Sequence, residues 1–342
     1  MRKPRITLSD VAAEAGVSTT TASLVLGGKT RSHRISEETH ERILAAAKTL
    51  DYVPNRLVHS MQKGSTQILS FFDGFRNRHP NDLYRDALTT AIERAAGNRG
   101  YDILITCDFK RSPEETYRYL NGGIVDGVIF FAPQEDDRLL PYLRSSRLPT
   151  VLLQASDKEN VLSSVKDDVH TGMRLIADRL YALGHRRIAV APHTADANHD
   201  RDERIALLTR FMAEKGVKIQ NGPAVLADND AETLYACVRE GPEPPTAIFC
   251  WRDFQAYCLL EACEKRGMRI PQDLTVVGYD GLAWPMATSH KAASIKVDFD
   301  MLSESVISLL IDSIHQPTAP PTQKEISVTL YEGTTMAPPP RG

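Results

Sequence analysis

The chain has 342 residues, enough for two or three packed units, and its 42% hydrophobic and 25% charged residues match an ordinary soluble globular protein. The net charge of −3 is unevenly spread: residues 1–66 carry ten Lys or Arg against six Asp or Glu, a net +4, and the remainder is −7. A basic head on an acidic body points to a polyanion as the partner of the head. The opening MRKPRITLSD lacks the apolar stretch of a secretory signal, and no uninterrupted apolar run is long enough to span a bilayer. A cytoplasmic chain without a membrane partner is therefore expected. The five cysteines (Cys107, Cys237, Cys250, Cys258, Cys263) are odd in number and form no CxxC pair, so reduced thiols are expected, with no disulfide frame, metal site or cofactor.

In chain order, Thr7-Leu8-Ser9-Asp10 predicts a capped helix start, with Thr7 as N-cap and Asp10 reaching back. Leu8, Val11 and Ala12 should face inward, and Ala15-Gly16 should end the helix. Ser18 caps a second helix. A third starts at Ser36 and carries Ile43, Leu44, Ala47 and Leu50 at helical spacing. Three short helices with a glycine turn between the first two form a helix-turn-helix pattern. On the second helix Thr19, Thr20, Ser23 and Leu24 share one face, while Thr21, Ala22 and Val25 share the packing face. Short hydroxyl side chains let a helix backbone approach DNA closely and can bond base edges or phosphates. The same face also suits a solvated polar surface of a small helical domain.

Residues 51–66, DYVPNRLVHSMQKGST, follow. Pro54 disfavours helix in Val53. Asn55 could cap about two turns from Arg56 to Gln62, too short to stand alone in water. Such a helix would fold only when DNA and a second copy supply contacts, with Met61 as an apolar wedge for a minor-groove step. A plain flexible linker fits the same residues.

From residue 67 short apolar runs alternate with amphipathic helical stretches. The runs include 67–72, 102–106, 127–131, 150–153, 188–191, 247–250 and 274–277; the helical stretches include 84–96, 173–183, 205–215 and 255–266. This alternation predicts βαβ units in doubly wound parallel sheets, in two similar lobes with a ligand cleft between them. The Pro-rich segments 316–322 and 337–342 read as loop and tail.

As a whole, the chain resembles the LacI/GalR family of transcription regulators. TLSDVAAEAGVSTTTASLVLGG, ISEETHERILAAAKTLDYVPN, LGHRRIAV, PTAIFCWRD and IPQDLTVVGYDG carry the resemblance, in family order, over nearly the whole chain. It implies an all-α helix-turn-helix head at 1–52, a hinge helix or linker at 53–66, and an α/β effector-binding body at 67–342 with two lobes of periplasmic-binding-protein type. The implied first lobe is about 67–184 and 297–320, the second about 185–296 and 321–335. It further implies a homodimer or higher homo-oligomer on a pseudo-palindromic double-stranded operator, with a small-molecule effector, a sugar or sugar derivative, between the lobes.

Carried over by position, the DNA-binding set is Thr7, Ser18, Thr19, Thr20, Ser23, Leu24, Arg31, His33, Arg34, Asn55, Val58 and Met61. Leu24 stands where many members have arginine, and it cannot make a bidentate guanine contact. The effector set is Tyr84, Asp168, Arg204, Arg252, Asp280 and Phe299, with Tyr84, Asp168 and Phe299 aligned to within a residue. Arg252 stands where asparagine is usual. Either it joins Arg204 in favouring an anionic effector, or it pairs with Asp253 or Asp280 and leaves the cleft neutral. His185 is expected at a helix-to-strand junction. Glu332, where arginine is common, has no explanation in the sequence.

Other functions leave weaker marks. An enzyme reading lacks a GxSxG elbow, HExxH, P-loop or GxGxxG motif. A transport-type solute-binding protein would suit the lobes but not the basic head. A regulator answering a protein or nucleotide remains open beside the sugar reading.

Overall fold

The structure is a computed structural model of the chain, and it describes residues 6–27, 35–53, 60, 64–73, 82–107, 110–134, 136–194, 199–220, 224–225, 229–239 and 243–340. By their contacts they divide into two units, Met1–Gln67 with Gly123–Asp126, and Ile68–Gly122 with Gly127–Gly342.

The first unit holds α1 (Leu8–Glu14), α2 (Thr19–Leu26) and α3 (Glu37–Thr49). Each helix start is made locally. Thr7 and Asp10 form a reciprocal capping box, Ser18 accepts from Thr21 N, and Ser36 accepts from Thr39 N. Gly16, at φ +64°, makes the turn between α1 and α2. Val11, Ala12, Ala15, Ala22, Val25, Ile43, Ala46 and Ala47 form one small core. Leu44 corrects an expectation: it is 45% exposed, because Ile43, Ala46, Ala47 and Leu50 together centre the inward face of α3 and Leu44 falls to the side of it.

The second unit is built from two six-stranded sheets. The first runs β13 (Gln323–Ile326), β5 (Ser163–Asp167), β4 (Thr150–Leu153), β3 (Gly127–Phe131), β1 (Ile68–Asp73), β2 (Asp102–Thr106), all parallel. The second runs β14 (Thr329–Tyr331), β12 (Ala293–Lys296), β11 (Thr275–Asp280), β10 (Ala247–Phe249), β6 (Ile188–Val190), β8 (Ile219–Gln220), parallel except for β14. Read from the β2 and β8 edges, both lobes have the same doubly wound order, which reverses beside β1 and β6. A short parallel pair, β7 (His193–Thr194) with β9 (Ala224–Val225), is separate. The helices are α4 (Leu83–Gly97), α5 (Pro113–Leu120), α6 (Leu140–Arg144), α7 (Val169–Ala182), α8 (His199–Ala213), α9 (Ala231–Arg239), α10 (Asp253–Lys265) and α11 (Phe299–His315). Strands β1, β3, β4 and β11 are buried almost throughout, which is why they read as continuous apolar runs.

The expected lobe limits are corrected. Helix α7 packs on α8 and β14, so the first crossing follows Asp167 instead of residue 184. Strand β13 bonds along β5, so residues 323–326 belong to the first lobe and only β14 returns to the second. The backbone groups of β13 need a ladder partner, and the exposed edge of β5 supplies one.

Two puzzles of the sequence resolve here. His185 is fully buried, with Nε2 donating to the Ala337 carbonyl and Nδ1 bonded to Thr246 Oγ1, each at 2.9 Å. It ties the helix-to-strand junction to the C-terminal segment, which is loop as expected but anchored. Burial holds its pKa below the ordinary histidine value. Glu332 pairs with Arg179 of α7 at 2.7 Å.

Candidate functional sites

On α2, Thr19 and Thr20 are exposed, Ser23 and Leu24 are half-buried, and Ala22 and Val25 are buried, so the expected two faces are present. Ser18 Oγ accepts from Thr21 N at 3.1 Å and bonds Thr21 Oγ1 at 2.8 Å. Thr7 N and Oγ1 each donate to Asp10 Oδ2 at 2.7 Å. These bonds fix the helix starts and leave Thr19 and Thr20 pointing outward. Arg42 Nε donates to the Ala15 carbonyl at 2.9 Å and so closes the end of α1 from α3. Arg31, His33, Arg34, Asn55, Val58 and Met61 lie outside the described residues.

In the two-lobed unit, polar side chains gather at the carboxyl ends of the strands. Three non-glycine residues there have left-handed backbones: Ala132 after β3 at φ +43°, Gln154 after β4 at +57°, and Asp280 ending β11 at +109°. Such strain concentrates where a site dictates backbone direction. A cavity of about 480 Å³ opens between the lobes, lined by Gln134, Gln154, Lys166 and Asp167 of the first and by Glu203 and Arg204 of α8.

Arg204 is only 5% exposed. Its Nη1 donates to the Trp251 carbonyl at 2.8 Å and lies 3.6 Å from Asp280 Oδ1, and its guanidinium sits 3.7 Å above the Tyr279 ring. Tyr279 Oη in turn donates to Asp167 Oδ2 at 2.5 Å, a bond from the second lobe to the first. Gln154 accepts from Asp167 N at 3.1 Å and donates to Tyr84 Oη at 2.7 Å. Tyr84 packs edge-on against Phe299 at 5.2 Å and stacks with Phe131 at 6.3 Å. Burial, with the Asp167 and Asp280 carboxylates nearby, raises the Tyr84 phenol well above its ordinary pKa. Arg204, Tyr279, Asp167, Gln154 and Tyr84 thus form one polar chain across the lobes.

Asp168 is a correction. Its carboxylate accepts from Thr171 N at 2.8 Å as the N-cap of α7, and the cavity is lined by Asp167 instead. Strand β5 ends at the cleft with Asp167, and the next residue starts the helix, so its carboxylate is used as the cap. Phe299, the first residue of α11, lines a separate groove of about 790 Å³ beside α4 while touching Tyr84. Arg252 precedes α10, with its guanidinium 4.6 Å from the Trp251 ring and 5.4 Å from that of Phe254.

Asp253 is wholly buried, and its Oδ2 accepts from Leu282 N at 2.6 Å. Burial first, and then the Asp280 charge, push its pKa well above the ordinary aspartate value. Below the ordinary range both folded and unfolded chains hold this proton, and the group costs nothing. As pH rises past that range the unfolded chain ionises while the folded one keeps the proton, so stability is lost as pH rises. Asp253→Asn should therefore raise the melting temperature, with a gain near zero at about pH 4 that grows toward about pH 7. A variant less stable than the parent at neutral pH would mean that the native carboxylate is ionised.

Comparison with known proteins adds the decisive observation. A family model described as bacterial regulatory proteins, lacI family, matches residues 7–55, and one described as periplasmic binding protein-like domain matches residues 177–336. Both lie on one chain in the order that the fold requires. The chain belongs to the LacI/GalR family. This LacI/GalR-family protein is 28% identical over 339 residues, 97% of each chain, to the HTH-type transcriptional repressor PurR of Escherichia coli O139:H28 (strain E24377A / ETEC). Its fold is similar to a lac repressor dimer bound to operator and the anti-inducer ONPF, with a TM-score of 0.81 at 22% identity over 98% of this chain and 100% of that one. It is also similar to a transcriptional regulator CelR–cellobiose complex, with a TM-score of 0.66 at 25% identity over 97% and 100%.

Against that family frame, sequence reasoning missed Gln154, Asp167 and Tyr279. Gln154 carries no local signal, since its left-handed backbone is imposed by the strand end. Tyr279 lies inside the GYDG block beside Asp280, and its sequence does not distinguish a core tyrosine from one whose hydroxyl reaches the other lobe. Among the described residues no helix is long and apolar enough to cross a membrane, and no cluster of His, Cys, Asp or Glu is arranged to hold a metal.

Proposed function

We propose that this protein is a cytoplasmic, homodimeric repressor that binds a pseudo-palindromic operator and is controlled by a neutral sugar or sugar derivative held between its lobes. Thr19, Thr20 and Leu24 read the major groove, Ser18 and Ser23 meet phosphate, and the head residues outside the described set, Arg31, His33, Arg34, Asn55, Val58 and Met61, complete the contact. The observation that carries the ligand assignment is the polar chain across the cleft. Arg204 offers donors, Asp167 and Asp280 offer acceptors, and Gln154 offers both, the mixture that a polyhydroxylated ligand requires. The cavity volume suits a mono- or disaccharide-sized molecule. A ligand that bonds both lobes favours their closed arrangement, and operator affinity changes to the extent that the two arrangements bind DNA differently.

The pairing of Arg204 with Asp280 balances charge at one end of the cleft and favours a neutral ligand over an anion. Arg252 motivates the second reading, a sugar acid or sugar phosphate, because its guanidinium lies beside the Trp251 loop that Arg204 holds. Relatives named as repressors and a relative complexed with cellobiose support binding over turnover.

The test is selection of genomic fragments by the full-length protein at fixed, near-physiological salt, because phosphate binding varies steeply with salt. Selection is repeated with neutral sugars, sugar acids and sugar phosphates, each also titrated by calorimetry. Enrichment of a pseudo-palindrome that a neutral sugar strengthens or weakens is the expected result. Binding by anionic sugars alone transfers the assignment to the second reading. Failure to enrich any sequence under all conditions, or chemical conversion of a bound sugar, overturns the proposal.

A further inference from the structure

Four hydrogen bonds converge on one carboxylate. Ser65 Oγ donates to Asp126 Oδ2 at 2.6 Å, Thr66 N and Oγ1 donate to Oδ1 at 2.7 and 2.8 Å, and Gln67 N donates to Oδ2 at 2.9 Å. Three consecutive residues at the end of the linker are thus held by a single side chain some 60 positions away in sequence. The backbone there is unusual on both sides, with Gly64 at φ +70° and Gln67, a non-glycine, at φ +55°. A left-handed glutamine is held in place only when its surroundings outweigh the strain, and the Gln67 N–H is one of the four donors. By its contacts the Gly123–Asp126 segment groups with residues 1–67. The donors also hold the Asp126 carboxyl below the ordinary aspartate value, despite its partial burial.

We propose that Asp126 is a positioning residue that fixes the path of the linker behind the DNA-binding head and thereby sets the half-site spacing the dimer accepts. This rests on the operator-binding reading above. The physical reason is entropic. A linker with a fixed exit has already lost conformational freedom before binding, so two heads meet two half-sites without ordering these residues again. A released linker pays that cost on specific binding, and it also reaches half-sites at other separations. Non-specific contact by a single head needs neither.

The experiment uses full-length Asp126→Ala and Asp126→Asn. Asparagine keeps the shape and one acceptor oxygen but turns an NH2 toward the other donors. The probes are the duplex enriched by the wild type and two versions with one central base pair added or removed. Asp126→Ala should lose about tenfold or more in affinity for the parent duplex. Its discrimination among the three spacings should flatten, with affinity for random duplex unchanged and Asp126→Asn intermediate. Independently of any operator, amide hydrogen exchange over residues 64–67 should accelerate in the alanine variant. Unchanged exchange overturns the clamp itself. Unchanged affinity with unchanged spacing preference overturns its role in DNA binding. An equal loss on every duplex with preference retained assigns Asp126 a structural role only. If alanine fails to fold, the asparagine variant decides on the same readouts. Absence of any operator for the wild type would count against the regulator reading, while the exchange experiment would still judge the clamp.

Discussion

Arg204→Ala should abolish the effector response, weakening effector binding by about a hundredfold or more, while operator affinity without effector stays within about twofold. Two losses combine. The ligand loses the donors of a guanidinium that is almost fully buried, and desolvated charged bonds are the strong ones. The cleft also loses its own scaffold, since Arg204 holds the Trp251 carbonyl and covers the Tyr279 ring, whose hydroxyl reaches Asp167 in the other lobe. Asp280, 7% exposed, would be left without the Arg204 charge. Removing one partner of a buried pair costs about 3–5 kcal/mol of stability. Arg204→Lys separates the two effects. It keeps the positive charge, and so most of the stability, but not the planar fork. Calorimetry with the panel sugar that binds the wild type, beside thermal unfolding of both variants, reads the difference. An intact effector response in folded Arg204→Ala would move the ligand elsewhere.

The second large effect is expected at Gly278. A β-carbon there would stand 2.2 Å from Asp253 Oδ1 and 3.2 Å from Ala256 Cβ. Strand β11 can lie against α10 only because this position has no side chain, and the carboxyl it touches is fully buried. Gly278→Ala must displace Asp253 from Leu282 N, and it should cost about 3 kcal/mol or more through overpacking together with the lost bond. The clash names its own partner. Combining Gly278→Ala with Asp253→Ala should cost clearly less than the sum of the two single losses, measured by denaturant unfolding as a double-mutant cycle. Strict additivity would show that the strand moves as a whole and that the two residues do not oppose each other.

Much of the head was legible because its determinants are local. The caps at Thr7, Ser18 and Ser36 lie within three residues of the amides they bond, and the inward positions recur at helical spacing. Leu44 was misplaced because local spacing does not say how wide a core three short helices can build. In the body, β1, β3, β4, β10 and β11 announced themselves as apolar runs. Strands β5 (SSVKD) and β13 (QKEI) did not, since they are polar and exist through pairing with each other across 159 positions. The lobe limits therefore came out wrong at two of the three places where the chain passes between sheets, after β5 and after β13.

The amino-acid sequence by itself determined the helix-turn-helix head, its outward face of Thr19 and Thr20, the alternating βα organisation and the resemblance to one family. Each is written in neighbouring residues or in blocks of fixed order. Only the tertiary structure decided which aspartate faces the cleft, that Arg204 and Asp280 meet there, that Tyr279 bridges the lobes, and that Asp126 gathers residues 65–67. In each case the partners sit on elements far apart in sequence. The backbone direction at those ends, left-handed at Gln154, Asp280 and Gln67, follows from packing and hydrogen bonding that no short window of residues contains.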